Sequence, residues 1–494
     1  MKLLKKMNIV IVIIMILYVI LYRSTVYATE TMRVLNNNEL NNYIYEYIDK
    51  TKTPGLALVV VNDSDIEFRN WGYDNIDKNI SFSKTTPFEL ASVSKGFTAL
   101  SIFLLQEEGK LSIDDSVSDY LNWFNVKWKG EKCDIKIWQL LNHCSGIPES
   151  ETMSKIKIGN DDYLKEETAR IAEGIDLKFQ PGTNVEYCNL GYSILAYITE
   201  MVSGQNFDDY VTQEIFLPLG MNNSGYDIPT AQGYKMFFGK LIEYNAPRFK
   251  GAEGAAYVIS TAEDMSIWMN AQLGKMELPV KLENAIKKSH EMQKNYNYKK
   301  LGELEDGRAI FYVNGWFQTE DGNYMEHSGG SPTFSTMLYI DKANQVSTFA
   351  VSNLQTSTTA ITAKIVYTML LGNDFTRYKI FIDYTDIIAS LITIIGVIVL
   401  LIIIIFIIKQ KRRLIKKITS LSKEKKLLKL RLSFLLVFLV FFITLPYILG
   451  YNYLLAYIWL PFSVISALTI WIIDVFLMII ASISRFVFKK SVSQ

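Results

Sequence analysis

Histidine and cysteine are scarce in this chain, with three of each among 494 residues. His143, His290 and His327 stand far apart and form no HExxH helix. Cys133, Cys144 and Cys188 fit neither a zinc-ligand spacing nor a CxxC redox pair. No metal is therefore expected, and no cofactor is implied. An odd cysteine count in an exported chain leaves at least one thiol free. A Cys133–Cys144 bridge stays open, because pairing cannot be read from sequence. Excess charge is also missing: 51 Lys and Arg balance 50 Asp and Glu, for a net charge of +1. Nothing in that balance points to a nucleic-acid partner.

Apolar residues are plentiful, at 49% of the chain. That is high for a purely soluble protein. The excess sits in the first 25 or so residues and, mostly, after Asp386. The chain opens Met1-Lys2-Leu3-Leu4-Lys5-Lys6, runs apolar from Ile9 to Tyr22, and offers a small-x-small site at Val26-Tyr27-Ala28. This layout predicts a signal peptide over 1–28; an uncleaved anchor would place the next domain on the same side.

Residues 29–372 have the composition of a globular domain. Helical spacing over 36–52 sets Leu40, Tyr43, Tyr47 and Ile48 on one side. The run 55–61 reads as a buried strand, and 66–71 alternates as a second. Residues 93–111 read as a helix ending near Gly109. Helix and loop dominate 114–273. Strand signals return at 310–317, 333–340 and 346–351, and 358–371 reads as a closing helix. Strands at both ends with helices between them predict an α+β body whose ends meet in one antiparallel sheet.

A linker over 373–386 leads to a membrane domain, 387–494. Its three predicted transmembrane helices cover about 387–408, 432–449 and 458–483. The first carries no charge and would span about 33 Å at ~1.5 Å per residue. The segment 409–431 is basic, with Glu424 its only acid, and Arg485, Lys489 and Lys490 follow the third span. The positive-inside rule puts that loop and the C-terminus in the cytoplasm, and the uncharged loop 450–457 outside. The signal peptide independently puts 29–386 outside. Both arguments predict a multi-pass cell-membrane protein with its globular domain extracytoplasmic and the lipid bilayer as a partner. Asp474 lies within the third span, where an acid is costly and often functional unless it sits near the cytoplasmic face.

Ser92 stands where a loop of small residues enters an apolar helix, and Lys95 follows one turn later on the same face. A serine hydroxyl needs a base to become a nucleophile. A desolvated lysine can have a lowered pKa and serve as one, while the helix N-terminus favours a developing oxyanion. The bare Ser-x-x-Lys pattern is weak, and it recurs at Ser154, Ser420 and Ser422. The last two fall in the basic loop, and Ser154 has no apolar helix behind it. The competing reading of Ser92 is a helix cap.

Four motifs occur in order: Phe88-Glu89-Leu90-Ala91-Ser92-Val93-Ser94-Lys95, Gln139-Leu140-Leu141-Asn142-His143-Cys144-Ser145-Gly146-Ile147-Pro148, Tyr187-Cys188-Asn189-Leu190-Gly191-Tyr192 and His327-Ser328-Gly329-Gly330. Together they resemble the class C β-lactamase, penicillin-binding protein and D-aminopeptidase superfamily of serine hydrolases. The resemblance covers about 36–372. It implies that Ser92 is acylated and that Lys95 and Tyr187 pass its proton. Asn189 would bond Lys95 or the substrate amide. His327, Ser328 and Gly329 would form the substrate-binding strand, with backbone N–H groups of Ser92 and Gly330 as the oxyanion hole. The implied fold is a five-stranded antiparallel sheet flanked by helices, plus a helical lobe, with the site between. His143 resembles a structural residue of the family. Cys188 should point away if its neighbours point in. His290, in a charged stretch, reads as a surface residue.

One departure stands out. His327 occupies the place where many members carry the lysine of a Lys-Thr-Gly strand. A histidine near its usual pKa of about 6.5 is mostly neutral outside the cell, so it holds a carboxylate poorly. The chain resembles instead the superfamily's D-amino-acid peptidases and esterases. With its three C-terminal helices it is similar to the membrane peptidases that remove an N-acyl-D-asparagine cap from pre-colibactin- and pre-zwittermicin-type products. The expected partner is a small-molecule or peptide substrate, acylated in that case. The rival expectations are a cell-wall DD-peptidase, a weak β-lactamase or esterase, and an acylated sensor that signals through its helices.

Overall fold

The computed structural model describes residues 30–31, 37–62, 65–159, 164–373, 376–377, 383–413 and 421–493. The predicted signal peptide and residues 414–420 of the basic loop lie outside these. In chain order, the elements that matter are α1 (Asn37–Thr51), β1 (Gly55–Val61), β2 (Ile66–Asn75), α2 (Lys95–Glu107), α3 (Glu149–Met153), α4 (Asn189–Ser203), the hairpin β3 (Tyr234–Phe237) and β4 (Lys240–Glu243), and α5 (Ala262–Leu273). Then come β5 (Ala309–Val313), β6 (Trp316–Thr319), β7 (Tyr324–Gly330), β8 (Ser335–Asp341), β9 (Val346–Ser352) and α6 (Thr358–Leu370). Four C-terminal helices follow: α7 (Thr385–Arg413), α8 (Leu421–Ile448), α9 (Tyr453–Trp459) and α10 (Phe462–Ser493).

β1 explains why the two ends of the body meet. All seven of its residues are buried. Side chains alternate across a strand, so Leu56, Leu58 and Val60 pack with α1 and α6. Ala57, Val59 and Val61 pack on the other face, with the large core that contains α2 and α5. A strand covered on both faces reads as an unbroken apolar run, and this one pairs with β2 on one side and β9 on the other. The antiparallel sheet is wider than the implied five strands. Among the described residues it has nine, in the order Gly302–Glu303, β5, β6, β7, β8, β9, β1, β2, Ile80–Ser81.

The predicted strand 310–317 is a hairpin. Asn314 and Gly315 have φ of 48° and 93°, and Val313 pairs with Trp316 across them. An Asn-Gly pair with both φ positive is the two-residue turn whose twist suits a hairpin. β7 is a strand at His327–Gly329, as the family resemblance implies, although its own residues give no strand signal, since it ends in Gly-Gly and carries no β-branched residue. Its seven-residue register with β8 supplies what its own propensity lacks.

Among the described residues, three helices are long and apolar enough to cross a membrane, over Thr385–Lys409, Glu424–Ile448 and Phe462–Val487. The third starts later than predicted, because Pro461 separates it from α9, which takes up most of the uncharged loop. α7 and α10 pack closely at Gly396, where a Cβ would lie 2.6 Å from Ile470. Asp474 is fully buried near the middle of the third span, with neither carboxylate oxygen hydrogen-bonded. It is not near a helix end.

One further expectation changes, and one open question closes. His290 is buried, not at the surface: its Nε2 lies 2.7 Å from Gln272 Oε1, and Lys342 Nζ lies 3.3 Å from its Nδ1. The helix Val280–Ser289 carries it inward against the core. All three cysteines are free thiols, so Cys133 and Cys144 are not bridged.

Candidate active site

Ser92 is half-buried in a 3₁₀ turn, Ala91–Ser94, that leads into α2. The turn is held from two sides. Leu90 N–H donates to Val258 O at 2.8 Å, and Thr336 Oγ1 donates to Leu90 O at 2.9 Å. Ala91 is left-handed, with φ 48°. Such strain persists only where the surroundings over-determine it, and it clusters at functional sites. β7 presses so closely here that a Cβ on Gly329 would lie 2.3 Å from Leu90 O and 2.2 Å from Thr336 Oγ1.

Lys95 is fully buried. Its ammonium donates to Ser92 Oγ at 3.1 Å, Asn189 Oδ1 at 2.8 Å and Ala255 O at 2.8 Å. Burial pulls its pKa down to about 7, although Glu149 and Cys188 oppose the shift. The free amine is therefore within reach near neutral pH, able to accept a proton from the adjacent hydroxyl.

Asn189 is itself held. Its backbone N–H donates to Glu149 Oε2 at 2.8 Å and its Nδ2 to Glu149 Oε1 at 2.6 Å. With its backbone N–H and one Nδ2 hydrogen on that carboxylate, the amide oxygen is aimed at Lys95. Sequence reasoning missed Glu149. Its only signal was an acid in the first turn of a helix directly after the Ser145-Gly146-Ile147-Pro148 stretch.

Tyr187 stands over Lys95, its ring centroid 4.8 Å from Nζ. Its hydroxyl is buried without an aligned hydrogen-bond partner. Burial pushes the phenol well up, with the neighbouring Ser92 hydroxyl pulling it back, so it stays protonated. His143 supports the ring at 4.2 Å, while its Nδ1 accepts from Cys188 N–H at 3.1 Å. Burial holds its pKa well below 6.5. Cys188 is buried.

His327 reaches the site but differs from expectation. It is buried, and its ring faces Tyr312, Phe317 and Tyr187. Nδ1 lies 2.7 Å from Ser328 O and so carries the proton, which leaves Nε2 to accept from Tyr312 Oη at 3.2 Å. Burial, helped by the charge on Lys95, drops its pKa to about 3 rather than 6.5. It is a fixed neutral imidazole. Ser328 is exposed, Gly329 is buried and Gly330 is half-buried at the end of β7. The structure thus gathers Ser92, Lys95, Tyr187, Asn189 and His327 in one place, with Gly329 against the serine turn.

A sheet-and-helix body that sets a half-buried serine against a buried, easily deprotonated lysine and a tyrosine has the architecture of an acyl-transferring serine hydrolase. A family model described as Beta-lactamase matches residues 40–368, and the chain belongs to that family. Its enzymes are serine hydrolases. The chain is 27% identical over 326 residues to protein flp of Staphylococcus aureus (strain N315), covering 65% of this chain and 63% of that protein. It is 29% identical over 325 residues to penicillin-binding protein 4* of Bacillus subtilis (strain 168), covering 59% and 67%. The octameric penicillin-binding protein homologue from Pyrococcus abyssi matches with a TM-score of 0.57 at 25% identity, over 69% of this chain and 78% of that one. A β-lactamase/D-alanine carboxypeptidase from Pseudomonas syringae shares the fold, with a TM-score of 0.55 at 18% identity, over 68% and 99%.

Proposed function

We propose that this protein is a membrane-anchored extracytoplasmic amidase that acts through an acyl-enzyme on Ser92. The observation that carries the reading is Lys95, buried 3.1 Å from Ser92 Oγ with a pKa near 7. Its neutral amine takes the Ser92 proton as Oγ bonds to the substrate carbonyl carbon. The oxyanion is received by the backbone N–H groups of Ser92 and Gly330. Tyr187, protonated, passes a proton to the leaving amine and is reprotonated from Lys95 as the C–N bond breaks. Water then repeats the sequence on the ester and frees Ser92. Asn189, with Glu149 behind it, keeps Lys95 aimed.

The substrate reading is an N-acylated, D-configured residue, such as an N-acyl-D-asparagine cap. A free carboxylate would need a cation, since charge-assisted hydrogen bonds are about twice as strong as neutral ones. His327 supplies none, which disfavours β-lactams and peptide C-termini. The apolar helices suit a substrate that partitions to the bilayer surface. kcat/KM for an N-myristoyl-D-asparaginyl amide should exceed that for its L-isomer, a D-Ala-D-Ala peptide and nitrocefin. A preference for either of the last two would place the enzyme among the cell-wall hydrolases. An acyl-enzyme that never deacylates would mark a sensor.

The topology proposed is residues 29–386 outside and 409–431 inside. In support, the start of α7 and the α8–α10 loop both touch the body: Gly239 N–H donates to Asp386 at 2.6 Å, and Lys235 Nζ to Tyr457 O at 2.7 Å. With the native cysteines removed, an impermeant thiol reagent on intact cells should label Lys300→Cys and not Lys417→Cys. The opposite pattern would invert the arrangement.

A further inference from the structure

α9 has seven residues, too few to hold a helix alone in water, so its shape comes from what it packs on. Leu455 and Ile458 are buried against Ile156, Phe249, Ala252 and Tyr257 of the hydrolase body. These contacts fall on two stretches of chain. Ile156 follows α3, whose first residue, Glu149, aims Asn189 at Lys95. The others belong to 249–258, in which Ala255 O accepts from Lys95 and Val258 N–H donates to Ser94 Oγ at 3.1 Å. One of the three acceptors around Lys95, Ala255 O, therefore lies on a segment that α9 covers, and a second, Asn189 Oδ1, is held by the helix that leads into the other.

Between Ala255 and Val258 stands Tyr257, left-handed at φ 75° and buried. A non-glycine residue keeps that conformation only under constraint from its surroundings. Its side chain lies in the α9 cluster, and its hydroxyl accepts from Phe249 N–H at 2.9 Å. The far end of α9 is also locked. Lys235, from β3, donates to Tyr457 O at 2.7 Å and Ile458 O at 3.0 Å, satisfying carbonyls that the helix end leaves open. Its ammonium lies 4.4 Å from the Phe462 ring and 4.7 Å from that of Tyr244.

We propose that α9, a loop helix of the membrane domain, is a positioning element for the active site: docked on 249–258 and on the segment after α3, it sets the acceptors that orient Lys95. Acylation of Ser92 would then depend on the membrane domain being seated. This goes beyond the substrate reading and rests only on acylation of Ser92. Wild type that takes up no probe would refute acylation itself, which is a separate failure.

The test uses the full chain in lipid nanodiscs and a fluorophosphonate probe, with kinact and KI measured separately. The Leu455→Ala/Ile458→Ala double variant and Lys235→Met should each lower kinact by about 10- to 100-fold, with KI little changed. Amide hydrogen exchange should rise over 249–258 and 453–459 and stay at the wild-type level in β1 and β9. Ile458→Leu should restore kinact. Leu454→Ala, on the exposed side of α9, should leave it unchanged. Fast exchange in α9 with kinact at the wild-type value would overturn the proposal. So would a loss of kinact accompanied by faster exchange throughout the body, which marks a merely structural role.

Discussion

Ser92→Ala is expected to lower kcat by about 10⁴- to 10⁶-fold and to abolish covalent labelling by a fluorophosphonate. The neighbouring hydroxyls cannot stand in for it. Ser94 Oγ is committed to the Val258 N–H inside the core, and Thr98 Oγ1 donates to Gly254 O at 2.6 Å. Of these three hydroxyls, that of Ser92 combines partial exposure with a lysine amine at 3.1 Å. Intact-mass analysis of wild type should show one adduct, and peptide mapping should place it on Ser92. An adduct of equal yield on the alanine variant would remove Ser92 from the mechanism.

Lys95→Met should cost about 10²- to 10⁴-fold in acylation rate, the usual range for loss of a general base. In wild type, kcat/KM should rise with pH along an acid limb centred at about 7, because the amine and not the ammonium accepts the proton. The variant should lose that limb. Stability should move the other way. A lysine whose folded pKa lies below its unfolded value of 10.5 penalises folding. The penalty is full below about pH 7 and fades as pH rises towards 10.5. The drop corresponds to about 5 kcal/mol, offset in part by stranding Asn189 Oδ1 and Ala255 O when the amine is removed. Tm of Lys95→Met at pH 7 should therefore be no lower than that of wild type. A lower Tm together with an unchanged pH limb would show that Lys95 is structural.

How well each residue could be read depended on how local its cause was. Ser92 and Lys95 share one helical turn, so their relation survives in the bare sequence. Asn189 was within reach because it sits in a recurrent Tyr-x-Asn pattern. Glu149 and Ala255 were not. One acts through Asn189, 40 residues away, and the other through a backbone carbonyl 160 residues from Lys95, which no side-chain pattern reports. His327 was found by its motif, and its neutrality was expected, but not the cause. Its ordinary pKa of about 6.5 assumes solvent, and here there is an aromatic wall instead. His290 was misplaced for the same reason, since a charged neighbourhood in sequence became a buried one in space.

What the sequence determined unaided is what short-range periodicity and composition encode. That includes β1, covered on both faces, the helix behind Ser92, three apolar helices of membrane length and the ordered motifs of a serine hydrolase. Tertiary structure alone decided the rest. β7 became a strand because β8 offered it a full register. Lys95 became a base because the fold strips water from it and surrounds it with three acceptors. α9 became a helix because the hydrolase body covers one side of it. In each case the deciding quantity is burial or pairing between residues distant in the chain, and neither exists until the chain has folded.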